Sequence, residues 1–301
     1  MTSDDQVPDR KPVADGAGAD GATLYVVATP IGNRGDLSPR ALEVLRTVAV
    51  IAAEDTRHSG QFLRLMGVGT RLLSLHEHNE AARSAELIDL LRKGESVALV
   101  SDAGTPLISD PGFDIVREAR QQGIRVVPIP GSCALIAALS VAGLPTDRFS
   151  FEGFLPQKAA ARRARLDALR SDARTLVFYE SPYRLRETLA DIIASLGGER
   201  QVCIARELTK LHETVYFGTA SMLAARARDD ADMSRGELVI VVSGQAEEVP
   251  VVAEDVQRIL GILLAELPAA QAAKLAARIT GVARKDLYEL ATGLDVRKSQ
   301  P

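Results

Sequence analysis

Ser101-Asp102-Ala103-Gly104-Thr105-Pro106-Leu107-Ile108-Ser109-Asp110-Pro111-Gly112 follows the apolar run Val97-Ala98-Leu99-Val100 and precedes an amphipathic pattern that starts at Phe113. A buried strand that runs into small, turn-forming and acidic residues sets backbone groups and carboxylates at the carboxyl edge of a sheet, where open α/β sheets bind ligands. Gly104 and Gly112 permit backbone conformations closed to other residues, and Pro106 and Pro111 stiffen the segment. A purely structural strand-to-helix connection is usually a few residues long and needs none of this.

The same alternation extends in both directions. Apolar runs at 24–28, 48–53, 72–75, 96–100 and 124–128 predict strands, and amphipathic patterns from Ser38-Pro39, then at 56–66, 80–93, 113–122 and 132–142, predict helices. Ser38 reads as an N-cap with Pro39 at the first helical position. Strands alternating with helices imply a mostly parallel sheet covered on both faces. The pattern pauses at Leu144-Pro145-Thr146. It then resumes with strands at 149–154, 175–179, 202–205 and 237–242, and helices at 159–169, 183–196 and 221–227. A further strand at 214–217, close to its neighbour, points to a mixed sheet. Residues 244–252 read as a linker. Beyond it, 271–280, Gly281-Val282-Ala283 and 284–290 form a helix-turn-helix pattern. Its second helix has no basic stripe, so it reads as a packing or RNA-contacting appendage and not as a reader of DNA. The expected organisation is a polar, disordered tail (1–22), an α/β domain (23–144), a second α/β domain (145–244) and a helical appendage (253–295).

The chain has 301 residues, a net charge of −4, few aromatics and no tryptophan, so its core is aliphatic. That charge excludes nonspecific coating of nucleic acid but not a structured RNA met by a local basic face. The two cysteines, Cys133 and Cys203, suggest no disulfide framework, and a reduced cytoplasmic setting fits. No apolar run is long enough to span a membrane. There is no Gly-x-Gly-x-x-Gly after the first strand, no phosphate-binding Gly-x-x-x-x-Gly-Lys-Ser/Thr and no Gly-x-Ser-x-Gly.

Distinctive loops follow the strands instead: Thr29-Pro30-Ile31-Gly32-Asn33, Glu54-Asp55-Thr56-Arg57, His76-Glu77-His78-Asn79, Pro130-Gly131-Ser132-Cys133, Tyr179-Glu180-Ser181-Pro182 and Arg206-Glu207-Leu208-Thr209-Lys210. In an α/β layout they converge on one edge and form a cleft between domains. Glu54 and Asp55 suit either catalysis or the start of a helix, where acidic groups complement the dipole. His76 and His78 suggest a metal by type, but the remaining histidines, His58 and His212, make no set of three or four ligands, and no metal is expected. Lys158, Arg162, Arg163 and Arg165 form a charged helix face, either simply solvated or a contact for an RNA backbone.

These motifs, in this order from about residue 24 to 242, resemble the 16S rRNA cytidine-2′-O-methyltransferases of the tetrapyrrole methylase superfamily. The resemblance implies two α/β domains with S-adenosylmethionine in the cleft between them. It also implies a homodimer, and methyl transfer to the ribose 2′-hydroxyl of a decoding-centre cytidine in the 30S subunit. By that resemblance the cofactor contacts Pro30, Asp102, Thr105, Ser132, Cys133, Glu180 and Leu208, many through backbone atoms. The first loop is Thr-Pro-Ile-Gly-Asn and not a glycine-rich turn, a departure from the tetrapyrrole-modifying members. The Glu54–Arg57 and His76–Asn79 motifs belong to the rRNA branch and argue against a porphyrin substrate. A general base would help a ribose hydroxyl attack. Candidates are Asp55, Glu54, Glu180 and Glu213, with His76 a weaker choice. Arg57, His76, Asn79, Lys158, Arg162 and Lys210 are candidates for holding the RNA. Two other classes remain open: a tetrapyrrole methylase, and a non-catalytic ribosome-assembly factor that binds RNA through its C-terminal helices.

Overall fold

The computed structural model describes residues 21–76, 79–245 and 253–298, so the expectations for the tail before residue 21, for Glu77 and His78 and for most of the linker lie outside the described residues. The chain divides into two compact units, one ending at Gln245 and one beginning at Ala246.

The first unit opens with β1 (Thr23–Val27), β2 (Val50–Ala53), β3 (Arg71–Ser74), β4 (Val97–Val100) and β5 (Arg125–Ile129). They form one sheet in the order β3-β2-β4-β1-β5, parallel throughout. The helices α1 (Pro39–Thr47), α2 (Thr56–Leu65), α3 (Glu80–Arg92) and α4 (Phe113–Gln121) intervene between these strands. Parallel strands covered on both faces read as unbroken apolar runs, as β2 and β4 do, whereas the edge strands β3 and β5 each begin on an exposed arginine. One face packs Val27, Ile51, Ala98 and Val100 against Val44 and Leu45 of α1 and Leu63 of α2. The opposite face packs Leu24, Val50, Val97 and Leu99 against Leu87 and Leu91 of α3 and Ile115 of α4. Ser38 caps α1 by accepting from the Ala41 N–H at 3.1 Å, with Pro39 next, as its sequence predicts.

The second sheet is mixed, in the order β6-β7-β10-β8-β9. It comprises β6 (Phe149–Phe154), β7 (Thr175–Glu180), β8 (Gln201–Arg206), β9 (Thr214–Thr219) and β10 (Leu238–Val242). β6 and β7 are parallel, and β10 inserts antiparallel to both β7 and β8. The helices α6 (Ala159–Ala168), α7 (Leu185–Leu196) and α8 (Ala220–Asp229) cover one face, where Leu176, Phe178, Ile204 and Ile240 meet Leu166, Leu189 and Leu223. The other face is covered by α5 (Ala134–Val141), which follows the first sheet in sequence but packs Leu135, Ala138 and Leu139 on Val177, Cys203, Ala205 and Val239. This explains its nearly all-apolar sequence. The two sheets are therefore joined by a shared hydrophobic layer within one compact unit.

The second unit is helical: α9 (Ala253–Glu266), α10 (Ala269–Thr280) and α11 (Arg284–Lys298) close around Leu260, Ala273, Ala276 and Leu287. Gly281 ends α10 in the left-handed region (φ 73°), which gives the turn expected between the paired helices.

Candidate active site

The carboxyl ends of β1, β4 and β5 in the first sheet, and of β7 and β8 in the second, surround a cavity of about 390 Å³. Its volume falls in the range of small-molecule sites. Ile31, Ile108, Leu208 and Val239 supply apolar wall, while Asp102, Thr105, Asp110 and Glu180 supply polar groups.

Backbone strain concentrates here. Leu107 and Ser109 in the 101–112 loop, and Glu207 and Thr209 after β8, all hold positive φ between 51° and 72°. Such conformations persist only where the surroundings enforce them, and they cluster at functional sites. The enforcing contacts are visible. Thr29 and Gly104 exchange backbone hydrogen bonds (2.9 and 3.1 Å), which staples the loop after β1 to the loop after β4. The Thr105 hydroxyl donates to the Ser132 carbonyl at 3.0 Å. Glu80 reaches across from α3 to accept from the Gly112 and Asp114 N–H groups at 3.0 and 2.9 Å, and so caps α4. Across the two sheets, the Asn33 N–H donates to the Thr209 hydroxyl at 3.1 Å. Gly32 makes this approach possible, because a Cβ there would lie 2.4 Å from Cγ of Lys210.

Of the seven residues expected to contact a cofactor, Asp102, Thr105, Glu180 and Leu208 line the cavity. Pro30, Ser132 and Cys133 lie one or two residues from the lining residues Ile31 and Ala134. The proposed bases occupy different settings. Asp55 is the N-cap of α2 and accepts from the Arg57 and His58 N–H groups at 2.8 and 3.4 Å. The Arg57 N–H, then its guanidinium, hold this exposed carboxyl below the usual carboxylate range. Its backbone N–H donates to Asp102 Oδ1 at 3.1 Å, and the Ser59 hydroxyl donates to the same oxygen at 3.4 Å. Asp102 thereby ties two loops together. Glu180 is buried and fully engaged: it accepts from the Ser181 N–H (2.7 Å) and the Thr188 hydroxyl (2.6 Å), and pairs with Arg184 at 2.5 Å. Glu213 accepts from the Thr209 N–H at 2.5 Å and steadies the strained turn. Glu54 stands at the end of β2, and its charge acts on Asp110.

The residues expected to hold substrate also separate. Arg57 is exposed and Lys158 lies at the exposed start of α6. Asn79 folds back on its own loop, with its side-chain oxygen accepting from the His76 N–H at 2.8 Å. Lys210 bridges Glu207 (2.9 Å) and Glu237 (3.0 Å). Burial works against its charge, but these two carboxylates outweigh that and raise its pKa. Arg162 does not sit on the charged face expected of it. It is 1% exposed and clamps α6 to α7 through Asp191 (2.7 Å) and Glu187 (3.2 Å). Helical periodicity turns residue 162 inward beside Leu166, which leaves Lys158, Arg163 and Arg165 as the exposed cations of this segment.

Sequence reasoning placed the loops that carry Asp110 and Tyr179 at the cleft without giving either residue a role, and it passed over Ala134 and residues 236–239 at the start of β10 as lining residues. The last follow from the antiparallel insertion of β10, which brings an amino end to an edge otherwise made of carboxyl ends. Burial, then the charges of Glu54 and Asp102, push the Asp110 carboxyl up to about 6, against a partial opposing effect of the Ser101 hydroxyl. A carboxyl raised in the folded state destabilises it once ionised, so the effect is absent well below pH 4 and complete above about pH 6. Asp110→Asn is therefore expected to stabilise the fold at pH 8 by on the order of 1 kcal/mol after allowance for solvent screening. The gain should fade as the pH falls through 6, as read by thermal melts across that range.

Residues 23–224 match the family of tetrapyrrole (corrin/porphyrin) methylases, and residues 250–295 match the RsmI C-terminal HTH domain. The fold agrees with solved members. Uroporphyrin-III-C-methyltransferase from Thermus thermophilus superposes with a TM-score of 0.52 at 23% identity, over 74% of this chain and 94% of that one. The methyltransferase CobJ does so with a TM-score of 0.55 at 17% identity, over 75% and 95%. The chain belongs to the tetrapyrrole methylase family, and it is a methyltransferase. Among its members it groups with the ribosomal RNA small subunit methyltransferases I. That of Pseudomonas aeruginosa is 56% identical over 89% of this chain and 96% of its own length, and that of Escherichia coli O157:H7 is 52% identical over 89% and 94%.

Proposed function

We propose that this protein transfers a methyl group from S-adenosylmethionine to the ribose 2′-hydroxyl of a decoding-centre cytidine in 16S rRNA of the 30S subunit, in the cytoplasm and as a homodimer. The observation that supports this most strongly is the acidic, apolar-walled cavity at the carboxyl edges of both sheets, in a chain so close to rRNA methyltransferases. The donor set suits S-adenosylmethionine: Ile31, Leu208 and Val239 offer a slot for a flat heterocycle, and Asp102 offers negative charge to the cofactor's amino group. When bound, that cofactor supplies an electrophilic methyl group. The protein's part is to fix two reactants in line, which is worth about 7–11 kcal/mol of the barrier when the geometry is right. The stapled loops at 29–33, 101–112 and 206–213 provide that rigidity. Asp102, which lines the cavity, accepts from the Asp55 N–H and so fixes the start of the loop carrying the exposed Arg57, whose partner Asp55 would give way to a phosphate.

The homodimer finds support in an apolar rim around the sheet's outer edge. Val215 and Phe217 on the edge strand β9, with Ile136 and Val141 on α5, are 40–53% exposed. Bare apolar edge strands are normally covered. No helix among the described residues is long and apolar enough to cross a membrane.

Labelled S-adenosylmethionine, incubated with the protein and 30S subunits lacking the modification, should place label on one cytidine ribose of 16S rRNA. Transfer to a free porphyrinogen with none to subunits would overturn the substrate and favour the tetrapyrrole class.

A further inference from the structure

Three of the four carboxylates first suspected of taking the acceptor's proton are committed elsewhere, and the fourth, Glu54, is not among the residues lining the cavity. Asp55 caps α2, Glu180 is closed in by Ser181, Thr188 and Arg184, and Glu213 braces the 209 turn. Asp110 lines the cavity as Glu180 does, but the groups that act on it are the Ser101 hydroxyl and the carboxylates of Glu54 and Asp102, not an arginine. It sits between Ser109, held at φ 71°, and Gly112, whose N–H is gripped by Glu80. Gly112 has φ 124°, and a Cβ there would lie 2.6 Å from Leu99 Cδ2, so this backbone is fixed against β4. A carboxylate on a loop anchored at both ends is a positioned group and not a mobile one.

The geometry points to Asp110 as the general base that removes the proton from the acceptor hydroxyl. This holds only if the chain is the ribose methyltransferase proposed. In the step, the hydroxyl oxygen forms its bond to the methyl carbon as the carbon–sulfur bond breaks. The bonding pair returns to sulfur, the sulfonium becomes a neutral thioether, and the hydroxyl proton passes to the Asp110 carboxylate and then to water. Charge balances, since one cation and one anion become two neutral groups.

The groups facing Asp110 suit that task. Glu54 from the end of β2 and Asp102 from its own loop repel its negative charge, the Ser101 hydroxyl favours it, and the Tyr179 phenol from β7 lies close enough to feel it. Burial and the two carboxylates give a base that is ionised at neutral pH yet more basic than a free carboxylate. A base poised near the working pH is the efficient one, and such groups contribute 10²–10⁴-fold.

Asp110→Asn and Asp110→Glu test this in single-turnover assays on 30S subunits, with cofactor affinity measured separately by calorimetry. Asp110→Asn is expected to bind S-adenosylmethionine within about twofold of the wild type and to lose at least a hundredfold in rate at saturating cofactor. The wild-type rate should fall on acidification with a midpoint near 6, and Asp110→Glu should recover part of the rate with that midpoint moved. A rate for Asp110→Asn within a few fold of the wild type overturns the assignment. So does a loss that saturating cofactor restores, which makes Asp110 a cofactor contact. Wild-type protein that leaves no label on the ribose overturns the methyl-transfer reading and this role with it. Labelling by wild type and Asp110→Asn alike removes Asp110 alone.

Discussion

Arg162→Ala is expected to lower the stability of the two-sheet unit by about 3–5 kcal/mol, the cost of breaking a buried ion pair by removing one partner. Arg162 is the largest fully buried side chain among the described residues, and its guanidinium satisfies Asp191, Glu187 and the Gln157 carbonyl at once. Asp191 is itself 7% exposed, and Arg163 at 3.8 Å is too distant to replace the lost bonds. Truncation therefore leaves a carboxylate buried and short of partners between α6 and α7. Well-packed apolar residues can replace a buried ion pair at little cost, so Arg162→Met with Asp191→Leu should recover most of the loss. Urea denaturation measures both. A midpoint for Arg162→Ala equal to that of the wild type would show that water reaches the pair and that the clamp holds nothing.

Ala134→Phe is expected to weaken S-adenosylmethionine binding at least a hundredfold, about 2.8 kcal/mol, with little change in melting temperature. Ala134 opens α5 and lines the cavity, while the neighbouring Leu135 and the later Ala138 and Leu139 carry the helix's packing on the second sheet. A ring at 134 would project into the cavity while Leu135, Ala138 and Leu139 keep their places in the core. Calorimetric titration reads the effect, and affinity within threefold of the wild type would move the cofactor away from this wall.

The framework was legible because its rules are local. Parallel strands buried on both faces are short apolar runs, and Ser38-Pro39 marks a helix start that the structure reproduces atom for atom. The site's outline was legible because its loops follow strands and carry residues that plain connections do not need. Three things were hidden, each for a non-local reason. Arg162 belongs to a basic cluster in sequence, and only the packing of α6 on α7 shows that it points inward. The start of β10 enters the cavity because that strand runs against its neighbours, a direction no periodicity encodes. Asp110 gains its character from burial in the folded chain and then from Glu54, more than fifty residues away in sequence. Asp55 shows the reverse: an acidic residue in a suggestive motif that the structure spends on capping α2.

A crystal structure of the protein soaked with S-adenosylhomocysteine, the product thioether, tests the central claim most directly. The product is expected in the cavity among Ile31, Asp102, Thr105, Ala134 and Leu208. Product bound elsewhere, with this cavity empty, would contradict the assignment of the two sheets' carboxyl edges as the methyl-donor site.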